Sequence, residues 1–246
     1  MNTQAMSGRR IAGWAGLLAA PLGLFNIVTF LSVTGGNTAA LLDPAFALAL
    51  PSSAQALFTA SMIADTLGFY VLPAMLGGYL STCLPAEHRA RAALAFPCLL
   101  VFAVLGVVGA LLQMAALPAL SAANAVGVQG AGAAWVAVVS TAQNGLWWFE
   151  MLPFGIYALL CGASLRAAKF GFGKLLIAGG VLGLVYWVLT IPGADRVVPG
   201  AAMAAEAAGL FALLAILAWA FLVGWGLLRK DAAPVVAATH PGQRPV

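Results

Sequence analysis

Two carboxyl groups stand in stretches that are otherwise apolar, Asp65 and Glu150. A charge at the centre of a bilayer costs at least about 2.5 to 3.5 kcal/mol, and no Lys, Arg or His falls at a similar depth in the sequence. Each carboxyl is therefore expected to be protonated, hydrogen-bonded to neighbours, or matched by something the chain does not encode, such as a proton, a metal cation or a cationic ligand. Around Glu150 the residues Ser140, Gln143, Asn144, Trp147 and Glu150 recur at spacings of three and four, which places them on one face of a regular helix. Phe154 and Tyr157 continue that face. The pattern predicts a polar pocket with an aromatic wall, suited to a small amphipathic or cationic ligand; hydrogen bonding that only fixes helix packing is the alternative. Asn26, Thr29, Gln113, Tyr186, Thr190 and Glu206 extend the polar set and predict a cavity open to the outer side and closed below. Glu206 is expected to pair with Arg196 at its rim.

Other chemistry lacks its residues. The two histidines, His88 and His240, lie in a short connection and near the C-terminus, so neither can ligate haem across a helix bundle. There is no HExxH, no GxSxG elbow, no P-loop and no Gly-rich dinucleotide fingerprint. Ser61, one helical turn before Asp65, has no histidine or lysine to activate it. No catalytic residue, cofactor or metal ligand set is assigned. Cys83, Cys98 and Cys161 are an odd number without a CxxC pair, and are expected as reduced, buried small side chains.

The elements that must hold these residues follow from composition. Of 246 residues, 63% are hydrophobic and 7% charged, against about a quarter charged in a soluble domain, and mean hydropathy is +1.01. Lipid must replace water around most of this chain, which excludes a soluble globule, a disordered protein and a nucleic-acid binder. Six apolar stretches can each cross the hydrocarbon core, near residues 11–33, 54–80, 92–116, 134–161, 175–191 and 203–228. Unpaired backbone groups are too costly in lipid for isolated strands, so the spans are helices. The prediction is an all-α polytopic bundle forming a single membrane domain over residues 1–230, followed by a disordered cytoplasmic tail, 231–246.

Charge gives the orientation. Arg9, Arg10, Arg89, Arg91, Arg166, Lys169, Lys174, Arg229, Lys230 and Arg244 fall on one side of a six-span topology and Arg196 alone on the other. Positive residues mark the cytoplasmic face, so both termini are expected in the cytoplasm. Trp14 and Trp225 fit anchoring at the inner interface and Trp135 at the outer one. The Gly8-Arg9-Arg10 start is expected to lead an uncleaved first helix, because its apolar run is long for a signal core.

Connections and repeats complete the plan. Residues 34–53 form the longest outer loop, whose apolar stretch 39–50 is too short to span and is expected to lie at the interface, with a lid as the alternative. Residues 118–132, rich in Ala, Gly, Ser and Asn, are expected as a flexible connection. Leu72-Pro73 in span two matches Leu152-Pro153 in span four, which sets Tyr79 near Tyr157 and Cys83 near Cys161. Val104-Leu105-Gly106 matches Val181-Leu182-Gly183 in the spans that follow. This predicts a duplicated helical hairpin in parallel orientation. Each shared proline withdraws a donor from the turn before it, at Phe69 and Phe149. Asp65 and Glu150 lie at different distances from their prolines, which disfavours a symmetric carboxylate pair.

With its six spans, its Arg-Arg-Ile-Ala-Gly start, its Leu-Pro pairs and the run Lys174-Leu175-Leu176-Ile177-Ala178-Gly179-Gly180, the chain resembles the bacterial six-helix integral membrane proteins grouped as domain of unknown function 4386. The likeness runs over residues 8–228. It implies a bacterial inner-membrane location and the six-helix fold, and supplies no active-site residues. The functional expectation is a non-enzymatic binding, sensing or accessory subunit, working through an outward-facing polar pocket and associating with a membrane protein partner or with copies of itself. The alternative is a small proton-coupled transporter using Glu150 or Asp65, and an integral-membrane enzyme comes third.

Overall fold

The computed structural model describes residues 3–192 and 194–229, and every regular element in them is helical. Six main helices follow one another: α1 (Thr3–Thr34), α2 (Ser52–Cys83), α3 (Ala86–Ala125), α4 (Ala131–Ala167), α5 (Gly173–Leu189) and α6 (Ala201–Leu228). All but α5 are long and apolar enough to cross a membrane. The 17 residues of α5 rise about 25 Å, just short of a hydrocarbon core of about 30 Å. The predicted tail, 231–246, lies outside the described residues.

Small residues set the packing. A Cβ on Gly16 would lie 2.5 Å from the carbonyl oxygen of Ala220, and one on Gly224 would lie 2.6 Å from that of Gly13, so α1 and α6 touch backbone to backbone. Gly23 and Gly68 do the same for α1 and α2, and Gly162 with Gly173 for α4 and α5. Such small-residue seams let helices approach closely where lipid supplies no hydrophobic drive for association. Each helix runs antiparallel to the next, and α6 returns to α1, giving a closed ring of six. Its centre is filled by Phe69, Tyr70, Phe102, Phe154 and Tyr157, all buried. Tyr70, Phe102 and Phe154 pack in sequence as tilted rings with centroids 5.0 and 5.1 Å apart.

The ring has two unlike ends. At one end lie Arg9, Arg10, Arg89, Arg91, Arg166, Lys169, Lys174 and Arg229, at the starts of α1, α3 and α5 and the ends of α4 and α6. Here Arg9 ties α1 to α6 by donating to the carbonyls of Leu227 (2.7 Å) and Arg229 (2.5 Å). At the other end the α1–α2 connection folds inward. Its short helices Thr38–Leu42 and Pro44–Ala47 start on Asn37 and Asp43, whose side chains accept from the N–H groups of Ala39 and Ala45. Leu41, Ala47 and Leu48 are buried against Phe58, Met62, Leu117 and Trp135. The stretch expected at the interface is thus a cap on the ring, because its apolar side chains find a protein core to fill.

Two further expectations are corrected. Trp135 is fully buried, its indole N–H donating to the Leu41 carbonyl at 2.7 Å, so it fastens the cap and anchors no interface. Residues 118–125 continue α3, since Pro118 deprives only one preceding carbonyl and the residues after it still favour helix. The helix stops at Val126-Gly127, where Gly127 takes a left-handed φ of +76°.

Candidate functional site

Within α2 and α4 the backbone departs from α geometry once each. Thr66–Val71 and Thr141–Leu146 form π turns, closed by Leu72 N–H to the Leu67 carbonyl and by Trp147 N–H to the Ala142 carbonyl. A π turn holds one residue more than an α turn and rotates the residues before it relative to those after it. Such turns recur at functional sites. The first begins directly after Asp65 and contains Tyr70; the second contains Gln143 and Asn144 and leads into Trp147 and Glu150.

The extra residue in α4 breaks the predicted stripe. Glu150 is 2% exposed and Gln143 half-buried, but Asn144 is exposed and outside the site. Uniform helical spacing put Asn144 beside Trp147, and the π turn swings it away. Gln143 donates to the side-chain carbonyl of Gln113 (3.0 Å), whose own NH2 donates to the Gly109 carbonyl (3.3 Å). Trp147 donates to the Gly106 carbonyl at 3.1 Å. A Cβ at Gly106 would overlap the Tyr70 ring and one at Gly109 would overlap the Trp147 indole. These two glycines cut a notch in α3 through which α2 and α4 meet.

At that meeting point Tyr70 donates to Glu150 Oε1 at 2.9 Å. The other carboxylate oxygen, Oε2, is buried without a hydrogen-bond partner. Asp65 is 7% exposed, its Oδ2 also buried and unpartnered, and it lies within electrostatic range of both Glu150 and Tyr70. A turn nearer the cap, Asn26 donates to both the carbonyl and the hydroxyl of Ser61 at 3.0 Å, clasping α1 to α2. Asp65 and Glu150 sit near the middle of helices that carry no cation at that depth.

The polar residues therefore form a buried centre. The cavity expected to open at the outer side is roofed by the cap, with Trp135, Phe58 and Leu117 fully buried beneath it. Toward the basic end Phe102 and Phe154 pack as tilted rings, and the Tyr157 hydroxyl lies over Gly77 and beside Cys161. Arg196 and Glu206 are both exposed, and no hydrogen bond joins them. Among the described residues no group of three or more His, Cys, Asp or Glu could hold a metal ion.

Tyr70 escaped the sequence reading, though a signal existed. It stands three residues before Pro73, as Glu150 stands three before Pro153. The two occupy the same position of the repeat and touch each other. Gly77 and Tyr157, each four residues after its proline, also touch. Contact between equivalent positions is what a local twofold axis between parallel helices produces. Laid on the Leu-Pro pairs, Tyr157 corresponds to Gly77, which it touches, and Tyr79 stands two residues further along. No protein-family model matches the chain, and no match was found among curated proteins or solved structures.

Proposed function

We propose that this is a six-span protein of the bacterial inner membrane, with both termini cytoplasmic, whose working part is a proton-binding centre made of Asp65, Tyr70 and Glu150. The function this arrangement supports best is small proton-coupled transport, in which Glu150 gains and loses a proton as the two hairpins shift about their shared axis. One observation carries the reading: two carboxyls near mid-span, each with a buried oxygen that has no partner and neither with a cation to neutralise it. Such groups are expensive in lipid and mark ion and proton paths. The strong bias of basic residues to one end favours that end as cytoplasmic, and membership of the domain of unknown function 4386 family is part of the same proposal. A binding, sensing or accessory role rested on an open outer pocket, and the burial of Glu150 and Gln113 takes away its main support.

The test uses the full chain in lipid nanodiscs and dicyclohexylcarbodiimide, which modifies protonated carboxyls in apolar surroundings. Mass spectrometry should find the adduct on Glu150 or Asp65 at neutral pH, with yield falling as pH rises, and lost at the position changed in Glu150→Gln or Asp65→Asn. Absence of an adduct on both residues across the pH range would refute the proton-binding centre. In liposomes enclosing a pH-sensitive dye, Glu150→Gln should abolish pH-dependent flux; unchanged flux removes the transport role.

A further inference from the structure

We infer that the Asp65–Glu150 centre also binds a dehydrated monovalent metal cation, in competition with the proton, so that the solute moved against protons is a small inorganic ion. This rests on the reading of the cluster as a proton-binding centre and names what it exchanges.

The chemistry of the donors points to a hard cation. The free groups in the centre are oxygens: Glu150 Oε2 and Asp65 Oδ2, both more than nine-tenths buried and without partners. The Tyr70 oxygen keeps an acceptor lone pair while its hydrogen goes to Glu150. The π turn in α2 ends at Val71, just before Leu72-Pro73, and Pro73 has no N–H to give back to the turn. Irregular helix turns at mid-membrane supply carbonyl ligands to sodium in this way. Soft or imidazole-loving metals have no ligand here.

Charge fixes the valence and packing fixes the size. Two carboxyls within range of each other in a low dielectric do not both ionise, so the centre carries at most one negative charge at a time. One monovalent cation then leaves it neutral. Of the groups on the surrounding helices, Tyr70 of α2 donates to Glu150, Asp65 of α2 and Tyr186 of α5 lie within electrostatic range of it, and Glu206 of α6 lies within range of Tyr186. The neighbouring stretch of α3 presents Phe102, Gly106 and Gln113, none of them titratable. No fixed cation competes for the site. The Tyr70 ring already fills the notch at Gly106, and Phe102 and Phe154 close the space below. Close packing of these rings at the centre disfavours a bulky organic ammonium.

Unfolding of the full chain in nanodiscs, followed by tryptophan fluorescence, tests this with sodium, lithium and potassium chloride against choline chloride at equal ionic strength. At alkaline pH a saturating alkali cation should raise the midpoint by roughly 5 °C, and at acidic pH the rise should vanish. Sodium should also slow carbodiimide labelling of the wild-type chain at least threefold, a readout that needs no variant. Asp65→Asn and Glu150→Gln, checked for unchanged helicity and elution, should lose the thermal response. A midpoint indifferent to all three alkali cations at alkaline pH overturns the inference. So does a response to calcium or magnesium alone, or one that survives in both variants. If carbodiimide still labels Glu150 while sodium does nothing, this inference falls and the proton centre stands; if neither occurs, both fall.

Discussion

The hairpins α2–α3 and α4–α5 carry the same marks, a π turn, a Leu-Pro pair and a glycine in the second helix, yet they are built to different tolerances. In α4–α5 the helices interlock along most of their contact: Gly155 against Leu184, Gly180 against Ala158, Gly162 against Gly173. In α2–α3 close approaches fall at the polar centre, where Gly106 receives the Tyr70 ring, and nearer the basic end, where Gly77 meets Leu99. The equivalent glycine, Gly183, faces Phe154 less closely, an added Cβ lying 3.2 Å from the ring, a tight contact that a small shift of the ring would relieve. The tightest of all these fits is at Gly106 of the first hairpin. At the paired positions Tyr70 and Glu150 the two hairpins supply the donor and the acceptor of the bond between them.

The largest test of that contrast is to add one methyl to each hairpin. Gly106→Ala overpacks the Tyr70 ring and should cost about 3 kcal/mol, whereas Gly183→Ala should cost under about 1 kcal/mol. Unfolding midpoints in the same detergent compare them, and equal losses would show that the two glycines are interchangeable. Next in size, Tyr70→Phe leaves both Glu150 oxygens unpartnered and should cost about 1 to 2 kcal/mol. The exchange Tyr70→Glu with Glu150→Tyr should recover at least half of that, because the axis brings the two positions to one place; no recovery would argue that the contact is not symmetric.

Smaller effects probe the surroundings of the hairpins. Trp135→Phe keeps the packing but loses the bond to the Leu41 carbonyl, and should cost about 1 kcal/mol. Hydrogen exchange should then rise over residues 38–50 and leave the centre of α4 unchanged. Smallest of all, Asn144→Leu should stay within about 0.5 kcal/mol of the parent. Gln143→Leu leaves the buried Gln113 oxygen without its donor and should cost about 1 kcal/mol. If Asn144→Leu proves the more damaging, the π turn does not face it outward.

Much of this molecule is legible from residue types. Apolar runs locate the helices because lipid forbids unpaired backbone, and the basic residues gather at one end of the ring as their positions along the chain imply. Asp65 and Glu150 are conspicuous for the same reason: a carboxyl in an apolar run has to be accounted for. What the sequence hides is register. A π turn adds one residue without changing composition, so Asn144 reads as part of a stripe that its backbone rotates away. Tyr70 passes as one more aromatic in an apolar helix, and only its place in the repeat reveals it as the partner of Glu150. The cap reads as an interfacial stretch because nothing in residues 39–50 announces Trp135, about ninety positions later, as the residue that holds it.

Ring closure has a consequence for how the protein is made. The seam between α1 and α6 is lined on one side by Gly13 and Gly16 and on the other by Ala220 and Gly224. Helices leave the ribosome in order, so α1 enters the membrane and waits through the synthesis of four others with this seam unmatched. Assembly is complete only when the last helix arrives and Arg9 reaches the carbonyls at its end. A chain stopped after α5 would present the quality-control machinery of the membrane with an open glycine groove, which makes α6 the element whose arrival separates a finished protein from a substrate for proteolysis.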